Sequence, residues 1–511
     1  MSSLNKSEMN RRRFIKTGAA AATAFHILGC RPRKDKANLL FLWTDQQRAD
    51  TMAVYGNRQI DVPNLNKLAG QSIVFKNAYV TQAVCTPSRS TVMTGLYPHT
   101  NGCIDNNIPL PVDVPCMPEL IDDTDYRTAY FGKWHLGDEL FAQHGFEEWV
   151  SIEDIYNQYF SAGRDKTLVS DYSLFLRSLG YQPDGERGEF SRMFAANLPL
   201  GHCKPKFLEQ KACDFLKRNS KNPFILCVNF FEPHPPFFGP LNKKYDPAAI
   251  DLPANFDDEL EADEPLRYRL LREKYYRELY KGEPLKSEAD WRQMIARYRG
   301  LVSQVDLSIG AILKTLTDLR LEDHTIVVFT SDHGDMMGSH RLLNKTVMYE
   351  EAVRVPWLMR IPQLRHRQQV IPGRFGHIDL LPTLLHAMDC ETALPGKSLL
   401  PVIRGERKHV DDVFIEWNNK NRSDVSKSKF KNITQEQIDR ANGAFVRTVI
   451  TQDGWKLCWS DKDKNQLFNL EQDPYETTNL FYRSGYDAII AQLQGKIRHW
   501  QSETNDKLVL S

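Results

Sequence analysis

Charge of one sign is what this 511-residue chain lacks: 66 Lys and Arg against 65 Asp and Glu leave a formal net charge of +1. With no basic excess to neutralise a phosphate backbone, sequence-independent nucleic-acid binding has no electrostatic drive, and that function class is set aside. Outside the N-terminus there is no long apolar run, which excludes a polytopic membrane protein. No Cys-x-x-Cys pair occurs, so a zinc knuckle or a thioredoxin-type redox site is disfavoured. Internal repeats and low-complexity tracts are also missing. What is present, 41% hydrophobic and 26% charged residues, is ordinary globular composition at a length that fits one large domain plus a smaller one.

The first 30 residues read as an export signal. Arg11-Arg12-Arg13-Phe14-Ile15-Lys16 precedes a small apolar run over 19–28 that is too short to span a bilayer, the pattern of a twin-arginine signal. The run closes on Ile27-Leu28-Gly29-Cys30, which is similar to a lipoprotein signal-peptidase box and makes Cys30 the candidate lipid anchor. The alternatives are a cleaved soluble signal or a retained anchor helix. The expected location is the periplasm or the cell surface, with an outer-membrane lipoprotein as the anchored form.

Continuous β-rich apolar runs at 39–43, 224–230 and 325–330 are each followed at once by polar, ligand-capable residues. Runs of this kind are strands of a parallel sheet buried on both faces. Helical patterns lie between them at 63–71, 206–217 and 292–319, the last with Ile309, Ile312 and Leu316 on one face. The alternation predicts a doubly wound α/β sheet with its ligands beyond the carboxyl ends of the strands. After Val402 the character changes to short alternating runs at 414–417, 447–451, 456–459 and 466–470, with turns at Asp453-Gly454 and 461–464. They predict a small antiparallel sheet closed by a helix over 487–501. The domain assignment is therefore 1–30 signal, 37–402 main α/β domain, where the ligand-capable strand ends lie, and 403–511 C-terminal α+β subdomain. The charged stretch 257–299 reads as solvated helix, and Cys227 as a small buried hydrophobe.

Two strand ends carry hard oxygen donors, Trp43-Thr44-Asp45-Gln46-Gln47 and Ser331-Asp332-His333-Gly334-Asp335. Parallel strands can bring Asp45, Gln46, Asp332 and His333 together as an O, O, O, N set suited to a hard or borderline divalent cation. Taken singly, each pair is as well explained as a strand-end turn. Between them, Ala83-Val84-Cys85-Thr86-Pro87-Ser88-Arg89-Ser90-Thr91-Val92-Met93-Thr94-Gly95 reads as a loop entering a helix, with a cysteine at the helix N-terminus where a thiolate is favoured.

That segment resembles the signature of the type I sulfatases, Cys-x-Pro-Ser-Arg followed by an apolar pair and Thr-Gly. Arg127-Thr128-Ala129-Tyr130-Phe131-Gly132-Lys133-Trp134-His135 resembles the second sulfatase signature, with Asp125 and Phe131 where a glycine and a small aliphatic residue are more usual. Pro233-His234-Pro235 and Asn344-Lys345-Thr346 match a third histidine and a second lysine of the family. Asp453-Gly454-Trp455-Lys456, Leu467-Phe468-Asn469-Leu470 and Asp473-Pro474-Tyr475-Glu476 resemble its C-terminal subdomain. The resemblance runs from 38 to about 481. It implies an alkaline-phosphatase-like doubly wound mixed sheet flanked by helices, with a smaller C-terminal antiparallel-sheet subdomain.

The resemblance also implies chemistry. Cys85 would be converted to formylglycine by a formylglycine-generating or an anaerobic sulfatase-maturating enzyme. Its hydrated aldehyde would attack sulfur, with Asp332 taking the proton of the attacking hydroxyl. Lys133, Lys345 and the cation would hold the sulfate oxygens. His234, with Lys345, would protonate the leaving oxygen, and His135 would deprotonate the second hydroxyl to expel sulfate. Arg89 would steady the diol, and Asn106 would face substrate. The metal set implied is Asp45, Gln46, Cys85, Asp332 and His333. Calcium is the first choice; Gln46 in place of the commoner second aspartate, with the His333 nitrogen, lowers the site's charge and keeps manganese or magnesium in play. The implied substrate is a sulfated polysaccharide or oligosaccharide, with specificity loops at 150–205 and 240–290.

Two rivals remain at this stage. A phosphonate monoester or phosphodiester hydrolase of the same fold shares the Asp-Gln and Asp-His pairs, but such enzymes lack the Gly132-Lys133-Trp134-His135 arrangement. An exported glycan-binding protein with a dead site would show a lost ligand, and none is lost.

Overall fold

The computed structural model describes residues 27–28, 36–364, 367–418, 425 and 433–510. Apart from its last apolar pair, the candidate export signal lies outside these residues, and so does Cys30. Nine strands form the main sheet: β1 Asn38–Asp45, β2 Ile73–Tyr79, β3 Arg127–Gly132, β4 Glu148–Val150, β5 Phe224–Pro233, β6 Thr325–Ser331, β7 Trp357–Arg360, β8 Gln369–Gly376 and a two-residue strand, Arg354–Val355, that pairs with the end of β2. Their spatial order is β8-β2-β7-β6-β1-β5-β3-β4. β7 runs against its neighbours β2 and β6, and Arg354–Val355 runs against β2, so the sheet is mixed.

Both faces of β1 are buried, which explains its unbroken apolar run. Leu40 and Leu42 point to one core with Leu226, Val228, Val327 and Phe329; Leu39, Phe41 and Trp43 point to the other with Ile225, Cys227, Ile326 and Val328. The period of two splits one hydrophobic string between two layers. The first layer is covered by α1 (Pro63–Ala69), α3 (Lys204–Arg218) and α4 (Glu288–Asp318), with Ile309, Ile312 and Leu316 fully buried as their spacing predicts. The second layer is covered by α2 (Cys85–Thr94) and α5 (Leu380–Ala387).

A second sheet, β9 Val413–Trp417, β10 Val446–Ile450, β11 Trp455–Ser460 and β12 Gln466–Asn469, is antiparallel throughout. One of its faces, with Val449, Leu457 and Leu467, packs on Leu493 and Ile497 of α6 (Asp487–Thr504). The other, with Ile415, Ile450 and Phe468, packs on Tyr79, Val80 and Val355 of the main body. Among the described residues, no helix is long and apolar enough to cross a membrane.

Candidate active site

Four parallel strands end at one edge, and each delivers a polar residue there: Asp45 closes β1, Lys133 follows β3, His234 follows β5 and Asp332 follows β6. The backbone bends sharply at these points. Gln46, His135 and Asn344 all have positive φ (71°, 59° and 65°), a conformation non-glycine residues keep only where the surroundings enforce it. Before Lys133 the turn needs glycine outright. Gly132 has φ +115°, and a Cβ there would meet the Asn229 carbonyl oxygen at 1.9 Å.

Cys85 opens α2 and is buried. Its Sγ lies 3.3 Å from His333 Nε2, 3.8 Å from Asp45 Oδ1 and 3.8 Å from Lys133 Nζ. Burial and Asp45 push the Cys85 thiol up, yet Lys133, Lys345 and His333 outweigh them and draw it down to about 7. Asp45 divides its two oxygens. Oδ2 accepts from Arg89 Nη2 (2.8 Å) and Lys133 Nζ (2.6 Å), while Oδ1 faces Cys85 and His333. Asp332 does likewise, with Oδ2 bound to Arg89 Nε at 2.9 Å and Oδ1 lying 3.6 Å from His333 Nε2. Burial would raise the Asp45 carboxyl, but the cations around it, Lys133 first and then Arg89 and Lys345, hold it well below the usual carboxylate range.

The donor chemistry fits a divalent cation. Ligand atoms of Asp45, Cys85, Asp332 and His333 lie within 4.8 Å of one another, all buried. His333 Nδ1 sits 2.9 Å from the Gly334 carbonyl, which can only accept, so Nδ1 carries a proton and Nε2 is the ring atom turned toward the cluster. Gln46 lies beside it, its Oε1 accepting from Lys345 Nζ and its Nε2 donating to Asp335 Oδ2.

The two remaining histidines are held neutral. Burial, with Lys133 and Arg89 close by, keeps His135 well below the ordinary imidazole range. Its Nε2 donates to Asn107 Oδ1 at 2.8 Å, which leaves Nδ1 as a buried acceptor without a partner. Burial and then Lys345 lower His234 in the same way, and its Nδ1 donates to the Pro235 carbonyl at 2.8 Å, leaving Nε2 as the free atom.

Arg89, expected to steady a diol, is tied to the carboxylates beside Cys85. Its donors go to Asp332, Asp45, the Lys133 carbonyl (2.7 Å) and Asn229 Oδ1 (3.0 Å), so it fixes the carboxylates and the turn after β3. Asn106 accepts from the Thr86 N–H at 3.0 Å, satisfying a donor of the first turn of α2. Three functional neighbours escaped sequence reasoning: Asn107, Asn229 and Glu139. The Glu139 carboxylate accepts from the Trp134 and His135 N–H groups at 2.9 and 2.6 Å and so shapes the loop that carries the histidine. Only Asn107 had a usable signal, as the neighbour of Asn106 in one polar turn.

A mixed sheet that gathers a cysteine, two cation-paired carboxylates, two lysines and three histidines at its carboxyl edge defines a hydrolase of the alkaline-phosphatase-like class. The chain belongs to the sulfatase family, whose model matches residues 37–390, and it is a sulfuric ester hydrolase. A model described as N-sulphoglucosamine sulphohydrolase, C-terminal, matches residues 338–503. The chain is 30% identical over 454 residues to the uncharacterized sulfatase YidJ of Escherichia coli, covering 87% of this chain and 83% of that protein. It is 26% identical to the N-acetylglucosamine-6-O-sulfatase of Bacteroides thetaiotaomicron, covering 94% and 90%. Among solved structures, a phosphonate monoester hydrolase from Silicibacter pomeroyi shares the fold with a TM-score of 0.76 at 21% identity, covering 92% of this chain and 96% of that one.

Proposed function

We propose that the protein hydrolyses a sulfate ester on a sulfated polysaccharide or oligosaccharide, using formylglycine made from Cys85 and a divalent cation held by Asp45, Gln46, residue 85, Asp332 and His333. The observation that carries this reading is the placement of Cys85 against Lys133 and His333 at the end of a sheet whose lysines and histidines surround it. The carbohydrate class is supported by the N-acetylglucosamine-6-O-sulfatase relative.

Formylglycine supplies a hydrated carbonyl, one hydroxyl for attack and a second for collapse that frees sulfate without a water attacking sulfur. A divalent cation, calcium in the first place or manganese or magnesium, would be held by Asp45, Gln46, Asp332 and His333 and would supply Lewis acidity. The chain's own residues do the rest. Lys133 and Lys345 neutralise charge on the sulfate, an electrostatic clamp preset in a buried site. Asp332 would take the proton of the attacking hydroxyl; with the anion between the lysines their hold on His234 weakens, so Nε2 would be charged by a proton from solvent and give that proton to the leaving oxygen. His135 Nδ1, free and neutral, accepts the proton of the second hydroxyl. Arg89 keeps both carboxylates in register throughout.

A second reading, phosphonate monoester hydrolysis, is favoured by Asp45-Gln46 and by the structural likeness; the Gly132-Lys133-Trp134-His135 turn favours sulfate. Steady-state rates on 4-nitrophenyl sulfate and on a phenyl phosphonate monoester decide between them. A higher kcat/KM for the sulfate is expected, and preference for the phosphonate would overturn the assignment. Export by the Arg11-Arg12-Arg13 signal, lipid attachment at Cys30 and maturation by a formylglycine-generating or anaerobic maturating enzyme belong to the same proposal, on sequence grounds.

A further inference from the structure

The segment between β4 and α3 brings a cation to the catalytic histidines that the sulfate chemistry does not use. Arg192, at the start of the short helix Arg192–Ala196, donates through Nε to Glu153 Oε2 at 2.7 Å and through Nη2 to the Tyr156 hydroxyl at 2.9 Å. Tyr156 in turn stacks on the His135 ring with centroids 4.2 Å apart. The Arg192 guanidinium also lies over the Phe231 ring at 4.6 Å, and Phe231 contacts the His234 ring at 4.7 Å. Arg192 therefore reaches the neighbours of both histidines, yet bonds to Glu153 and Tyr156 rather than to Cys85 or its carboxylates.

Positive charge is in excess here. Lys204 and Lys133 approach the same Phe231 ring at 4.5 and 5.6 Å. Glu153 is shared between Arg192 and Lys204. The other carboxyl nearby, Glu232, is pushed up to about 7 by burial and has an Oε2 without a hydrogen-bond partner. Glu153 is 1% exposed against 22% for the Arg192 side chain, so the cation's side chain, and not its counter-ion, is the partly open member of the pair. Nη1 takes no part in these bonds, and a fork already fixed by Glu153, Tyr156 and Phe231 loses little freedom on accepting an oxyanion.

We propose that Arg192 and Tyr156 form a subsite for a second acidic group, a carboxylate or a further sulfate, borne by the sugar that carries the scissile sulfate. The protein is then selective for doubly acidic sugars. This rests on the sulfatase reading and narrows it.

The test compares kcat/KM of the wild type, Arg192→Gln and Arg192→Lys on three substrates: galactose 6-sulfate, a glucuronic acid sulfate and glucosamine 2,6-disulfate. Arg192→Gln should lose at least about tenfold more on a doubly acidic sugar than on galactose 6-sulfate, the scale of one charged hydrogen bond. Arg192→Lys, which keeps the charge, should recover part of that difference. The uronate and the disulfate separate the two sources of the second oxyanion. Equal losses on all three substrates would make Arg192 a support for Tyr156 and His135 and overturn the subsite, as would no differential loss at all. A wild type inactive on the whole panel contradicts the sulfatase reading instead. In that case dissociation constants of the same sugars for Cys85→Ser protein, with and without Arg192→Gln, decide the subsite by the same differential.

Discussion

Arg89 Nε and Asp332 Oδ2 are joined by a hydrogen bond of 2.9 Å with both side chains fully buried, and the same guanidinium holds Asp45 through Nη2. One planar fork thereby fixes the two carboxylates that flank Cys85. Arg89→Lys keeps the charge but cannot span both. It should lower kcat/KM by about 100-fold or more through misplaced carboxylates, and destabilise the fold by about 3 kcal/mol because a buried carboxylate loses its partner. Sulfate release and thermal melting on the same variant check both outcomes.

The Asn107 to His135 contact sets the ring's free nitrogen. Asn107→Asp places a carboxylate 2.8 Å from Nε2, where it favours the charged imidazole that burial and Lys133 now suppress. The base is then lost by protonation at a higher pH, so the acid limb of the kcat/KM profile should move up by about one pH unit or more. An unmoved limb would assign the base role elsewhere.

Gly132→Ala drives a Cβ into the Asn229 carbonyl at a φ of +115°. The turn carrying Lys133 and His135 must open, at a cost of about 2–4 kcal/mol. Reduced melting temperature together with reduced activity is the expected pair.

How much of this was legible follows from where each signal lies. Strands β1, β5 and β6 and helix α4 were readable because burial of both sheet faces and a 3.6-residue stripe write themselves into local sequence. The predicted runs 39–43, 224–230 and 325–330 fall inside Asn38–Asp45, Phe224–Pro233 and Thr325–Ser331. Cys85, Lys133 and His135 were readable because their motifs are contiguous. Arg192, Glu153 and Tyr156 were not, since their meeting with Phe231 depends on how a loop with no periodic pattern folds over the sheet edge. Arg89 was found from its motif, but its acceptors Asp45, Asp332 and Asn229 come from three separate strands, and only the packed sheet shows that they lie there.

Glu264 makes stability depend on pH. Burial pushes its carboxyl up to about 7, although the Tyr349 hydroxyl and Gln466 Nε2 both donate to Oε2. Above the unfolded value of 4.5 the unfolded chain has released a proton that the folded chain keeps until about 7, so this group's contribution falls as pH rises through that window. Glu264→Gln stays neutral and still accepts both bonds. Relative to wild type it should gain about 2 kcal/mol between about pH 5 and about pH 8 in denaturant unfolding; a pH-independent difference would refute the assignment.

The account turns on Cys85, and the mass of the proteolytic peptide that contains it tests the account most directly. Protein from a host with a competent maturation system should show the aldehyde in place of the thiol, with sulfate release abolished in Cys85→Ala at unchanged fold. An unmodified thiol in that peptide, from protein that nonetheless hydrolyses sulfate esters, would contradict it.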